Sequence, residues 1–266
     1  MDELQKSRFT GYPGTYDRYR PKSPVKTLYE ILKLYLAQKI ETLVDVGCGT
    51  GLSTFPWAKY SEHVIGVEPN IDMISAAQEK ALTRAARKVN FVRAEAESIP
   101  MGSGSAHLVT CSQSFHWMEP KSTLTEFSRI LRPNGIFAVY DCDWPPSIGE
   151  SLENSFAKIL HESKALLKAM GMDAKQWPKS EHLVNIRKSG YFRFYKEISF
   201  HTTARTNANA FIGLIESQGV VQQALRLGNN ELKKLINEET MKIQRCFGRD
   251  SIEMILTYRL RMGIRE

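Results

Sequence analysis

Val44-Asp45-Val46-Gly47-Cys48-Gly49-Thr50-Gly51 is the stretch on which the reading of this chain turns. The apolar run Ile40 to Val46 leads into it and reads as a buried strand, and a helical pattern follows it. Three glycines at two-residue spacing bring the backbone against a ligand and present amide donors at a helix N-terminus. The dinucleotide fingerprint orders its glycines G-x-G-x-x-G. Here the third glycine, Gly51, comes one residue early, and Leu52 occupies its place. Asp45 is an acid at the strand's carboxyl end, which suits a ligand with an ammonium group better than one with a pyrophosphate.

Further along, His63-Val64-Ile65-Gly66-Val67-Glu68 is a second short apolar strand ending in a carboxylate. Glu68 lies 21 residues after Gly47, close to the spacing at which doubly wound folds place an acid on ribose hydroxyls. Taken alone it reads equally as a solvated strand-end acid, or as the ribose acid of an NAD enzyme. Phe91-Val92-Arg93-Ala94-Glu95-Ala96-Glu97-Ser98-Ile99-Pro100 follows as strand three and its turn. Ala106 to Ser112 reads as strand four, with Gln113-Ser114-Phe115-His116-Trp117 in the loop beyond. Leu131-Arg132-Pro133-Asn134-Gly135 then makes a turn into strand five.

These motifs, in this order over residues 40–140, resemble the class I S-adenosylmethionine-dependent methyltransferases, in the branch typified by ubiquinone and menaquinone biosynthesis. Tyr16-Asp17-Arg18-Tyr19-Arg20-Pro21 and Phe115-His116-Trp117 lean further toward the trans-aconitate methyltransferase-like enzymes. The resemblance implies S-adenosyl-L-methionine as cofactor, held by Asp45, Gly47, Cys48 and Gly49 in the loop and by Glu68 at the ribose. Met73 would pack on the adenine face, Glu95 would accept from the adenine amino group, and Ala96 would offer its amide to a ring nitrogen. Tyr19 and Arg20 would touch the cofactor carboxylate or the acceptor, with Ser112 nearby. Two positions depart from the family pattern: Glu95 where many relatives carry Asp, and His107 where strand four usually begins with an acid.

An amphipathic helix spans Leu28 to Ala37, and strands then alternate with helices at about 52–60 and 70–87. That alternation implies a doubly wound, mostly parallel sheet, with ligands outside the carboxyl ends of its strands. The family resemblance makes it a seven-stranded Rossmann-like methyltransferase fold closed by an antiparallel seventh strand, Ile252 to Arg261. Residues 1–27 are expected as an N-terminal lid and 28–144 as the cofactor-binding half. Its tyrosines Tyr12, Tyr16 and Tyr19 stand among prolines whose X-Pro steps argue against helix. After Asp141-Cys142-Asp143-Trp144-Pro145-Pro146 the rhythm breaks, and 145–190 reads as a helical cap inserted after strand five. Residues 191–266 are expected to complete the sheet, with a strand at Tyr191 to Thr203 and helices capped by Thr206 and Asn230.

The acceptor pocket is expected to draw on Gln113, Trp117, Tyr16 and Trp144, with Asp141 beside them and Asp143 capping a turn. The sulfonium already makes the methyl group electrophilic, so the protein chiefly aligns the nucleophile and excludes water. A carboxylate acceptor needs no base, whereas a phenol or an enolisable carbon would use one. His116 is the catalytic candidate, its alternative being a histidine hydrogen-bonded within the loop.

Composition narrows the partners. Cys48, Cys111, Cys142 and Cys246 are dispersed without a C-x-x-C pair, which indicates neither a metal nor a disulfide framework. No stretch approaches a membrane span, no signal-peptide core opens the chain, and a cytoplasmic enzyme is expected. The net charge of +7 is spread through solvated helix faces; it fits an anionic small acceptor before a nucleic acid. The leading expectation is methyl transfer to a small molecule, with O-methylation of a carboxylic acid as its particular case. The alternatives are methylation of RNA or protein, a non-catalytic S-adenosylmethionine-binding module, and an NAD-dependent oxidoreductase.

Overall fold

A computed structural model describes residues 13–266; Tyr12 and the rest of residues 1–12 lie outside the described residues. One seven-stranded sheet organises the chain, in the order β3-β2-β1-β4-β5-β7-β6. Its strands are β1 (Ile40–Val46), β2 (Ser61–Val67), β3 (Val89–Val92), β4 (Ala106–Ser112), β5 (Leu131–Cys142), β6 (Phe192–Thr206) and β7 (Ile252–Arg265). The first five pair in parallel. β7 runs antiparallel between β5 and β6 and pairs with both. The expected doubly wound sheet and its antiparallel last strand are both present.

The parallel strands are buried because helices cover both faces. α2 (Val25–Leu32) lays Val25, Leu28 and Leu32 against Leu43, Trp57 and Val64 on one side. α5 (Pro120–Ile130) sets Leu124, Phe127 and Ile130 against Val109, Phe137 and Val139 on the other. Local chemistry sets where the helices start. Asn70 caps α4 (Ile71–Thr83), accepting from Asp72 N and Met73 N at 3.0 Å each. Glu119 caps α5, which carries proline in its first turn, where no amide is needed.

Several boundaries differ from the sequence expectation. The segment expected to be irregular contains helix α1 (Pro13–Tyr19). Pro13 opens it, and Pro21 and Pro24 come after its end, so none interrupts an internal hydrogen bond. The helix expected at 52–60 is the single turn α3 (Thr54–Trp57). α4 stops at Thr83 rather than 87, because Ala85 takes a left-handed φ of 46°. Asn207 rather than Thr206 caps α8 (Ala208–Glu216), and α9 (Gly219–Arg226) follows as a separate helix. Asn229 rather than Asn230 caps α10 (Asn230–Phe247).

α6 (Glu150–Ala169) and α7 (His182–Lys188) fall in the stretch expected as a cap. α6 does not stand alone. Its buried Phe156 and Ile159 share one apolar cluster with Phe211, Leu214, Val221, Ile236 and Phe247 from α8, α9 and α10. The helices between β6 and β7 therefore pack with α6, rather than flanking the sheet as α2 and α5 do. These four helices, α6 with α8 to α10, form one packed helical layer, the cap.

Candidate functional site

The glycine loop closes tightly over the end of β1. Gly47, Gly49 and Gly51 have φ of 67°, 55° and 82°, a region costly for other residues. A Cβ at Gly47 would stand 2.5 Å from Ser114 Cβ, and one at Gly51 would stand 2.8 Å from both Phe55 and Phe91. At Gly49 a Cβ would meet nothing within 4 Å. The loop is thus walled by protein at two glycines and open at the middle one. Its amides are mostly engaged: Gly47 N and Cys48 N donate to Val67 O at 2.8 and 3.1 Å, and Gly51 N donates to Cys48 O at 3.0 Å. The expected row of free amide donors is absent from these positions, and the loop contributes shape more than donors. The Cys48 thiol is turned inward and buried, so any contact of this residue with a ligand falls to its backbone.

Asp45 also differs from the expectation. It is wholly buried, and its carboxylate already accepts from Ser53 Oγ at 2.6 Å, Thr54 Oγ1 at 2.7 Å and Thr110 Oγ1 at 2.8 Å. Burial raises its pKa and the three hydroxyls pull it back. Asp45 ties the loop and α3 to β4, which is a structural duty; reaching an ammonium group directly would require breaking that set.

Glu68 sits where the sequence places it, at the end of β2, and is 9% exposed. Its Oε2 accepts from Gly49 N at 2.9 Å and its Oε1 from Asn70 N at 3.0 Å. Burial pushes its pKa up to about 7 despite those two bonds. A carboxylate so poised gains from further donors, which the two hydroxyls of a ribose supply. Met73 and Ala96 are buried nearby in the chain's core, and Glu95 is half-buried at the end of β3. This combination, an open glycine beside a buried acid short of donors, fits an adenosine-type ligand.

The N-terminal helix straps the loop to the cap. Asp17 accepts a short hydrogen bond from Thr50 Oγ1 and pairs with Lys80, which donates to Thr50 O at 2.9 Å. At the other end Tyr19 packs on Gly213 of α8, so closely that a Cβ there would lie 2.3 Å from its ring. Arg20 donates to Ser217 O at 3.1 Å and lies over the rings of Tyr16 and Trp144, 5.1 and 5.5 Å from their centroids. Tyr19, expected at the cofactor, is thus engaged with the cap. Tyr16 is the tyrosine within electrostatic reach of Glu68, and burial raises its pKa.

Beside the loop, a cavity of about 240 Å³ opens between the strap, the loop after β4 and the cap. Tyr16, Arg20, Gln113, His116, Trp117 and Trp144 line it, as do Leu160, Lys164, Gln176, Lys179, Gln218, Gly219 and Val220. All four residues expected in the acceptor pocket are there, and so is His116. Gln113 has a left-handed φ of 57°, the kind of local strain that tends to mark a functional turn. Among the described residues, three cations and no acid belong to this lining. Ser112 lies just below, hydrogen-bonded to Tyr140.

Comparison with known proteins agrees with this geometry. Residues 44–139 match a family described as a methyltransferase domain. A Dictyostelium discoideum protein named as a methyltransferase is 27% identical over 92% of this chain and 89% of its own length. A Saccharomyces cerevisiae protein named as an S-adenosylmethionine-dependent methyltransferase is 32% identical over 47% of this chain and 43% of its own length. Among solved structures, YcgJ of Bacillus subtilis superposes with a TM-score of 0.58 at 17% identity, over 91% of this chain and 99% of that one. A methyltransferase from Anaeromyxobacter dehalogenans gives 0.64 at 19% identity, over 92% and 98%. This chain is an S-adenosylmethionine-dependent methyltransferase.

S-Adenosylmethionine supplies the methyltransferase with a methyl group on a positively charged sulfur, ready for displacement. Of the chain's residues, Glu68 and the open Gly49 are those fitted to hold its adenosine half. The floor of the neighbouring cavity holds Asp141, which the sequence places beside the pocket, together with the partners Lys179, Arg261 and His182, which it did not reveal. Asp141, 1% exposed at the end of β5, lies beneath the lining with Lys179 Nζ at 2.9 Å and Arg261 Nη1 at 3.3 Å. His116 Nδ1 is 3.8 Å away and His182 Nε2 is 3.6 Å away. Burial alone would raise the pKa of Asp141; Lys179, His116 and His182 outweigh it and hold it low. His182 is pushed down to about 4 by burial and stays neutral. Asp143, expected as a turn cap, instead pairs with Arg259 at 2.9 Å on the surface.

His116, Asp141 and His182 bring potential ligand atoms within 4.8 Å of one another. Lys179 and Arg261 already neutralise the one carboxylate, and a dication beside them would face two charges of its own sign. The set does not fit a metal. Lys164, Gln176, Lys179 and Gln218 carry no motif. They converge only when the cap closes on the sheet, and no linear pattern could have found them.

Proposed function

We propose that the methyltransferase O-methylates a small carboxylic acid bound in the cavity between the strap and the cap. The observation that carries this reading is the lining: Arg20, Lys164 and Lys179 contribute three cations, no acid is among the described lining residues, and of the three Lys179 is the one paired from beneath, by Asp141. Trp117, Trp144 and Tyr16 offer flat walls for the body of such a molecule, and Gln113, Gln176 and Gln218 offer amides. The cavity is of metabolite size and is walled on one side by the cap. The same fold holds an anionic small molecule in the geranyl diphosphate C-methyltransferase of Streptomyces coelicolor, solved with that substrate and S-adenosyl-L-homocysteine (TM-score 0.51, 15% identity). Its place in the cavity lining, at 7% exposure, supports His116 as the residue that acts on the acceptor.

The test is a panel of small carboxylic acids and their amides, offered with S-adenosylmethionine while S-adenosylhomocysteine release is followed. Acids should turn over and the matched amides should not. Arg20→Met and Lys179→Met should each raise KM for the acid by about 10-fold or more, as loss of a charge-assisted hydrogen bond does. Equal turnover of acids and amides would overturn the reading. So would a cationic or polymeric acceptor whose KM these two variants leave unchanged.

A further inference from the structure

Two nitrogens reach for one oxygen at the floor of the acceptor cavity. Lys179 Nζ lies 2.9 Å and His116 Nδ1 lies 3.8 Å from the same Asp141 Oδ1. The other oxygen faces Arg261 and His182, and neither is free to leave. Arg261 is buried and tied to Glu197 at 2.7 Å; His182 is wholly buried against Phe115. Lys179 is different. A third of its side chain is exposed, it stands on the single turn Lys179–Glu181, and it also lines the cavity, where it donates to Gln113 Oε1 at 3.0 Å.

An anion entering the cavity competes with Asp141 for Lys179. Once Lys179 turns toward that anion, Asp141 Oδ1 loses its nearest cation deep in the protein, where an uncompensated carboxylate is costly. His116 needs to move by only about 1 Å to replace it, given a normal hydrogen-bond length of about 2.8 Å. A carboxylate on one imidazole nitrogen fixes the tautomer and leaves the opposite nitrogen as a base. We infer that the acceptor's own anionic group arms His116, by drawing Lys179 off Asp141, so that His116 can deprotonate a hydroxyl of the same acceptor. The inference rests on the carboxylic acid reading and narrows it to acids that also carry a hydroxyl.

The step balances. The hydroxyl proton passes to His116, the oxygen lone pair forms the new bond to the methyl carbon, and the electrons of the broken carbon–sulfur bond remain on sulfur. His116 is then an imidazolium next to Asp141 and returns its proton to solvent when the product leaves. Asp141 is a positioning residue, acting through His116. Lys179 makes the arming conditional on an occupied cavity.

The test is NMR on the 15N-labelled full chain saturated with S-adenosylhomocysteine, reading the ring nitrogens of its six histidines. His116→Gln identifies the relevant signals. Lys179→Met should show His116 protonated at Nδ1 and hydrogen-bonded without any added acid, and Asp141→Asn in the same background should abolish that state. In the wild type, saturating salicylate should produce the same spectrum that Lys179→Met shows without acid. Unchanged His116 signals in Lys179→Met overturn the inference, as does a response that survives Asp141→Asn. If Lys179→Met behaves as expected but neither salicylate nor the acid panel binds the wild type, the coupling stands and the carboxylic acid reading fails. In turnover, Asp141→Asn should slow methylation of hydroxy acids at least 10-fold in kcat with little change in KM; equal rates overturn the inference.

Discussion

The glycine loop and the neighbouring cavity lie side by side on the carboxyl edge of one sheet, yet they are built on opposite principles. The loop is backbone: three left-handed glycines within five residues, held by neighbours in the strands that flank it. The cavity is side chains, gathered from six separate stretches between Tyr16 and Val220. The first depends on a local pattern that any homologous strand–loop unit repeats. The second exists only when the cap has packed onto the strap and the sheet. Accordingly, the family match covers residues 44–139, which include the loop, Gln113, His116 and Trp117 but none of the strap or cap.

The sharpest way to break this contrast is at Gly47. Alanine there would meet Ser114 at 2.5 Å with φ at 67°, and should cost about 3 kcal/mol in stability as well as the S-adenosylhomocysteine-induced rise in Tm. Gly49→Ala, with space around it, should cost about 1 kcal/mol of stability and lose affinity for the ligand instead. If both variants lose stability equally, the loop is not open at its middle glycine. Asp45→Ala should come close to Gly47→Ala. Three buried hydroxyls lose their acceptor, at about 1 kcal/mol or more each, and urea unfolding would register it. A variant of full stability but without cofactor binding would return Asp45 to the ligand role expected from the sequence.

Glu68 ties the loop's chemistry to pH. Its folded pKa of about 7 is above the ordinary 4.5, so the folded protein holds that proton more tightly than the unfolded chain. The stability this contributes to the ligand-free protein is present below pH 4.5 and is lost as pH rises through 7. Ligand hydroxyls favour the ionised carboxylate, so affinity for S-adenosylhomocysteine should move the other way. It should strengthen by up to about 10-fold per unit as pH rises toward 7, then level off. Calorimetry across pH 5.5–8.5 would show it, and Glu68→Gln should be weak and flat. The smallest expected effect is at the strap. Asp17→Ala removes a partly exposed clamp on Thr50 and Lys80, worth about 1 kcal/mol. It should speed S-adenosylhomocysteine dissociation several-fold in stopped flow while leaving Tm nearly unchanged.

The alternation of apolar strands and helices made the sheet legible, because buried parallel strands and amphipathic helices each leave a period in the sequence. The places of Gly47, Glu68, Gln113 and His116 just past strand ends were legible for the same reason, since the strands themselves were. Other features left no such trace. Pro13 begins a helix instead of breaking one because the prolines fall outside its hydrogen-bonded turns. The amides of Gly47 and Cys48 look free in one dimension and are engaged by Val67 O in three.

By itself the sequence determined the sheet, its covering helices and the cofactor edge, since periodicity and left-handed glycines are properties of neighbouring residues. Only the tertiary structure decided that α6 and α8 to α10 form one cap, that α1 straps it to the loop, and that Lys179 and His116 contend for one oxygen of Asp141. Charges 25 to 63 residues apart along the chain acquire an interaction only when burial removes the water between them.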